Sequence, residues 1–353
     1  MCNTPNEKQP KRTKKALLIV LFAFLGLLVA MAITVAVLYF HGRNTLFDRN
    51  DIILQTPESM VDVTDKGDLV TYNGKTYRFN ENVVGILVMG VDKDDIQSDA
   101  TAGSNGQADT LLLAAVDTVS GAVNMIPISR ETMVEVDRYT EDGSLVGSEM
   151  MQLCLAYAYT PDSAASCENV CRSVSRLLYG APIDSYIAID MDGVVEITDA
   201  LGGVTVTVLE DIVYWRDRVF LDKGDVINLN GRQGLAYIRY RNHSVVNSNN
   251  LRMQRQKQFF TNFVQKATNQ LRSDFSKLGK YYSVVEPYVI SDLTLSQITY
   301  LASTCLLNRS QLGIEFLSIK GETVDGGKHA EFYPDSNSVY EAVLTAFYEE
   351  MEE

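Results

Sequence analysis

Residues 82–92 read NVVGILVMGVD, and residues 109–117 read DTLLLAAVD. In both runs the apolar residues occupy consecutive positions instead of alternate ones, the pattern of a strand buried on both faces. A third run, AVNMIPIS at 122–129, follows after the turn-forming TVSG. Working outward, DSAASCENVCRSVSRLLYG (162–180) is expected to be a helix, with Asp162 or Ser163 capping its start and Gly180 ending it. SYIAID (185–190) and GVTVTVLE (203–210) read as strands around a helical MDGVVEITDALGG, and NGRQGLAYIRY (230–240) and residues 251–271 as helices. Two further helices, near 292–307 and 336–350, flank a strand LGIEFLSI (312–319), and TYNGKTYRF (71–79) reads as a hairpin turning at Asn73–Gly74. Strands that alternate with helices place the chain in the α/β class, as a three-layer α/β/α sandwich with a central mixed sheet.

The chain begins differently. Residues 1–15 carry five basic residues and one acid, and residues 16–40 then run without a charge. At about 1.5 Å per residue that run exceeds the ~30 Å hydrocarbon core of a bilayer. It is too long for the apolar core of a cleaved signal peptide. The expected organisation is a cytoplasmic basic tail (1–15), a single transmembrane signal anchor (16–40), a linker with a hairpin (41–80) and one extracytoplasmic domain (81–353). The four cysteines beyond residue 150 complete no readable zinc site, and a tail of this length cannot fold into a DNA-binding module.

Charge is segregated. In a chain of net charge −14 no acid occurs between Asp225 and Asp274, a window holding Arg232, Arg239, Arg241, Arg252, Arg255, Lys257, Lys266 and Arg272. Arginine's planar fork matches phosphate oxygens and does not lose its charge. A solvated basic face would explain the charge without explaining the missing acids. Nucleic acid is an improbable partner outside the cell, and neither a helix-turn-helix nor interleaved aromatics occur. A diphosphate ligand accounts for the pattern directly. Arg239 and Arg241 fall at the end of one helix, and Arg252, Arg255 and Gln256 share spacings of three and four on the next.

Asp92, Asp109 and Arg130 stand at the ends of the first three strands, where α/β sheets gather ligands. Two carboxylates brought together by neighbouring strands suit a hard cation such as Mg²⁺; on spacing alone they fit helix caps or turns equally well.

These blocks resemble the LytR–CpsA–Psr family of cell-envelope ligases. MGVD with ADTLLLAAVDTVSGAVNMIPISRETMVEV is similar to its first block, IDSYIAIDMDGVVEITDALGGVTVTV to its central block, and LNGRQGLAYIRYRN with NNLRMQRQKQ to its arginine block. The resemblance implies an extracytoplasmic phosphotransferase, anchored by one transmembrane helix, that moves a glycopolymer such as teichoic acid or capsule from a polyprenyl-pyrophosphate carrier to peptidoglycan. Asp92 and Asp109 would hold Mg²⁺, with Mn²⁺ as the alternative. Arg130, Arg239, Arg241, Arg252 and Gln256 would clamp the pyrophosphate, with Arg255 beside them. Arg130, Asp109, Arg239 and Arg241 would carry the catalysis. The lipid would lie in an apolar tunnel.

The sequence departs from the family pattern at Gln107, where an Arg is usual, at Ser129 and Glu131 in place of Pro and Asp, at Cys154 in place of Asn, and at Asn249 in place of Asp. The last change removes one candidate base, leaving Asp92, Asp109 or Glu131. A non-catalytic binder of polyprenyl pyrophosphate and a pyrophosphatase remain as alternatives.

Overall fold

The computed structural model describes residues 33–34, 36–47, 69–93, 95–98, 102–242, 248–307, 313–327 and 329–351. The basic tail and most of the expected transmembrane run, residues 16–32 and 35, lie outside the described residues. Among those described, no helix is long and apolar enough to cross a membrane. Residues 36–46 are helical, so regular structure reaches into the segment expected to be a linker. The chain divides into two compact units. In the smaller, made of residues 1–48 and Thr294–Tyr300, the rings of Tyr39 and Tyr300 meet edge-on at 5.0 Å.

The larger unit is a mixed α/β fold. Its central sheet contains β1 (Val83–Val91), β2 (Ala108–Asp117), β3 (Val123–Ile128), β4 (Ser185–Ile189), β5 (Val289–Ser291) and β6 (Ile314–Phe316), in the order β5-β4-β1-β2-β3-β6. The three apolar runs of the sequence form its centre. They run antiparallel, β1 to β2 through the longer connection at 92–107 and β2 to β3 through the tight turn at 118–122, while β4 beside β1 and β6 beside β3 are parallel. Continuous apolar sequence therefore reflects cover on both faces and not strand direction.

One face packs against α1 (Ser163–Leu177), capped by Asp162, whose side chain accepts from the Ala165 N–H. Leu87, Met89, Leu111, Leu113 and Ile126 join Val170 and Val174 of α1 in a single buried cluster. The other face, to which Thr110 and Leu112 alternate, looks toward α2 (Met191–Ala200), α3 (Gly231–Arg239) and the long α4 (Ser248–Ser273). Gln256 of α4 reaches Thr110, and the ammonium of Lys257 lies 4.8 Å from the ring centre of Phe316. These helices hold a second apolar cluster around Val204, Leu229, Tyr237 and Phe259.

Several elements differ from the sequence reading. GVTVTVLE leaves the central sheet, and its Val204–Thr207 pairs with Val226–Leu229. Helix α5 (Lys277–Val285) had no expectation attached to it. After α6 (Leu295–Leu307), the expected strand at 312–319 shortens to Ile314–Phe316. The last helix, α7 (Ser336–Phe347), stops at Phe347, because Tyr348–Glu350 becomes a strand. That strand pairs with Lys75–Phe79 of the N-terminal hairpin, whose Asn73 (φ 51°) and Gly74 (φ 76°) form the expected turn.

Candidate active site

The ends of β1, β2, β3 and β4 and the helices α2, α3 and α4 meet at one cavity of about 560 Å³. Antiparallel pairing sets the C-terminal end of β1 beside the start of β2, and the start of β2 beside the end of β3. Asp92, Asp109 and Arg130 thus arrive at one edge of the sheet although far apart in sequence. Arg130 forms an ion pair with Asp109 and donates from Nη2 to the Gln107 side-chain oxygen at 2.9 Å. The two aspartates adjoin closely enough to repel. Burial pushes the Asp109 carboxyl above the usual carboxylate range against the pull of Arg130, and Asp92 adds to the rise.

Helix α3 supplies the opposite wall. It starts in a capping box, with Asn230 accepting from Gln233 N–H and the Gln233 side chain accepting from Asn230 N–H. At its end Tyr240 turns to φ −51°, ψ 132°, which ends the helix between Arg239 and Arg241. Both line the cavity. Arg239 contacts the Met191 sulfur and lies 3.4 Å from Asp92, and Arg241 lies 3.6 Å from Glu131. Helix α4 passes close by because residue 234 is glycine: a Cβ there would stand 2.8 Å from the Phe259 ring.

On α4, Arg252 and Gln256 face the cavity, and Arg255 does not. At about 100° per residue, positions four apart diverge by only about 40°, but Arg255 stands about 100° from Gln256. The expectation that Arg255 joins the phosphate clamp is corrected here. Its side chain is buried, with 1% exposure, and donates from Nε to Tyr237 O at 2.8 Å, while its other nitrogens hold Glu210 and Tyr240 O. Arg255 fixes the turn that separates Arg239 from Arg241.

Arg252 is the most crowded cation of the cavity. Burial holds its guanidinium below the usual range, and Arg241 and Arg130 add to the effect. A depressed cation pKa means that the charged form is disfavoured in the folded state, at every pH where arginine is protonated. Arg252→Met is therefore expected to raise the melting temperature while lowering function. A thermal melt of the two proteins checks it, and a lower midpoint would contradict it.

The remaining lining includes residues the sequence reading did not place. Asp190 caps α2, accepting from Gly193 N–H, and Ile189, Val194, Leu235 and Ile238 form an apolar wall. Gln152, His329 and Ala330 close the other side. Of the positions that depart from the family pattern, Glu131 lines the cavity, Gln107 holds Arg130, and the Cys154 N–H donates to Arg130 O at 3.2 Å from a buried site. The Asn249 side chain lies outside the described residues.

An α/β domain with a cluster of arginines and two adjoining aspartates at the strand ends has the features of an anion-binding protein. The LytR_cpsA_psr family model matches residues 40–348, and the chain belongs to this family. It is 26% identical over 322 residues to the polyisoprenyl-teichoic acid–peptidoglycan teichoic acid transferase TagU of Bacillus licheniformis, covering 90% of this chain and 91% of that protein. To TagU of Bacillus subtilis it is 28% identical over 296 residues, covering 83% of this chain and 82% of the relative. The crystal structure of B. subtilis TagV superposes with a TM-score of 0.59 at 24% identity, over 76% of this chain and 96% of that one, a likeness of fold.

Proposed function

We propose that the protein is a membrane-anchored, extracytoplasmic phosphotransferase that moves a glycopolymer from a polyprenyl-pyrophosphate carrier to a hydroxyl of peptidoglycan. The observation that carries the reading is the convergence of Arg130, Arg239, Arg241 and Arg252 on a cavity that is also lined by the apolar Ile189, Val194, Leu235 and Ile238. A diphosphate joined to a prenyl chain has both characters. The relatives' names point to the same reaction class. In this reading the helices on both sheet faces form a three-layer α/β/α sandwich, and residues 16–40 span the membrane with the N-terminus inside. That confines the site to the plane in which a lipid donor diffuses, which raises its effective concentration.

The arginines would bind the pyrophosphate oxygens and compensate the charge that shifts to the leaving phosphate. Gln256, donating to Thr110 Oγ1 and Ile238 O at 3.4 Å, would hold the floor of the site against the sheet. The apolar wall of Ile189, Val194, Leu235 and Ile238 would take the first prenyl units. Asp92 and Asp109 suit a Mg²⁺ ion: they offer hard oxygens from two neighbouring strand ends, and no third carboxylate, His or Cys completes a protein cage among the described residues. Such an ion commonly keeps substrate phosphate and water as its other ligands, and it would supply charge neutralisation at the phosphates.

Transfer is tested with purified protein, lipid-linked donor and peptidoglycan fragments. The expected products are polyprenyl phosphate and a phosphodiester-linked glycan. Polymer released onto water alone would identify a pyrophosphatase, and tight donor binding without any product would identify a binder. EDTA treatment is expected to abolish turnover, with Mg²⁺ restoring it. Full activity after exhaustive chelation, checked by elemental analysis, would remove the metal from this reading.

A further inference from the structure

The carboxylates that line the cavity are already engaged. Asp109 is paired with Arg130, Asp92 lies 3.4 Å from Arg239, and Glu131 lies 3.6 Å from Arg241. Asp190 is spent on backbone, accepting from Gly193 N–H at 2.8 Å and Ile96 N–H at 3.3 Å. A facing guanidinium opposes protonation of its carboxylate; at Asp109 burial outweighs Arg130, but its oxygens are turned to Arg130 and to the ion proposed above and away from an entering hydroxyl. Yet a hydroxyl attacking phosphorus must lose its proton. Among the described residues, the lining holds one further side chain able to accept a proton, that of His329.

His329 sits just before the second strand of the hairpin formed by Gly321–Asp325 and Ala330–Pro334. The tip is fastened to the site from both sides. The Phe332 N–H donates to Glu131 O at 2.8 Å, and the Gln152 side chain donates to Ala330 O at 2.7 Å. Within the tip, Gly326 N–H donates to His329 O at 3.1 Å. The backbone of His329 is thereby held at the mouth of the cavity, while its imidazole stays exposed to solvent. An acceptor hydroxyl must enter by an open side, and a base there can pass its proton to water after each turnover.

We propose that His329 is the general base for the acceptor hydroxyl. This rests on the transferase reading above. In the step, an imidazole nitrogen takes the hydroxyl proton as the oxygen forms its bond to the nearer phosphorus of the donor. The bond from that phosphorus to the bridging oxygen breaks, and its electron pair leaves with polyprenyl phosphate. Histidine suits the task because a neutral imidazole nitrogen offers a lone pair that can take the proton. The charged groups that share the lining with it, from each neighbouring element, are Asp92, Asp109, Arg130, Glu131, Asp190, Arg239, Arg241 and Arg252, with Glu331 on its own hairpin.

The test uses the full-length protein with lipid-linked donor and peptidoglycan acceptor. His329→Gln is expected to lower kcat by about 10²-fold or more, leave donor binding unchanged, and remove the fall in rate toward acidic pH that a histidine base would give the wild type. In His329→Ala, added imidazole is expected to restore part of the rate. Since the side chain is exposed, both variants are expected to keep the wild-type melting temperature. A variant rate close to wild type, or a reduced rate that keeps the acidic limb and ignores imidazole, overturns the assignment. If that happens while Arg130→Ala still abolishes transfer, the function stands and only the base is lost. Absence of transfer by the wild-type protein overturns both.

Discussion

Arg130→Ala is expected to lower transfer by about 10²–10³-fold, the usual cost of removing one charged contact from a preorganised site. Its guanidinium holds Asp109 and Gln107 together, so the loss removes a phosphate ligand and also releases two neighbours. Arg239→Ala is expected to act with similar size through Asp92. Both side chains are partly exposed at the cavity, at 25% and 27%, so circular dichroism and melting should change little. The measurement is release of polyprenyl phosphate at saturating donor. Near-normal turnover by either variant would count against the assigned site.

Glu210→Ala is expected to produce the largest loss of stability. Arg255 is almost fully buried, and Glu210 is its ion-pair partner. Removing one member of a buried pair leaves a charge without compensation and costs about 3–5 kcal/mol. Burial already holds the Arg255 guanidinium below its usual range, with Glu210 opposing that shift. Because Arg255 also grips Tyr237 O and Tyr240 O, the turn between Arg239 and Arg241 should loosen as well. Denaturant unfolding with an unchanged slope would report the stability change. A loss below about 1 kcal/mol would show that the pair is worth no more than a surface one.

How far the sequence revealed the molecule differs from residue to residue. The strands β1 to β3 were legible because burial on both faces writes itself as an unbroken apolar run. Asp92, Asp109 and Arg130 were legible because each follows or opens such a run. Helix direction was harder. Spacing alone could not decide whether Arg255 or Gln256 turns toward the sheet, since that depends on how closely Gly234 lets Phe259 approach. The acid-free window also had a partly different cause. Arg239 and Arg241 meet acids supplied by distant segments, Asp92 and Glu131, so a local count of charge misjudged the balance. His329 carried no local signal at all. Its place depends on the hydrogen bond between Phe332 and Glu131, a long-range contact of a hairpin whose only sequence mark is the Gly326–Gly327 pair at its turn.

The strand at Tyr348–Glu350 completes a sheet begun by the hairpin at Leu69–Phe79, with Lys75 and Glu350 joined across 275 residues. Phe347, just before it, is wholly enclosed in the main apolar cluster. The ribosome makes Tyr348–Glu350 long after the hairpin it pairs with, so this small sheet cannot close until the chain has been synthesised past that strand. Until then the Lys75–Phe79 edge stays open, and a chain interrupted before Phe347 should leave both that edge and the main apolar cluster uncovered.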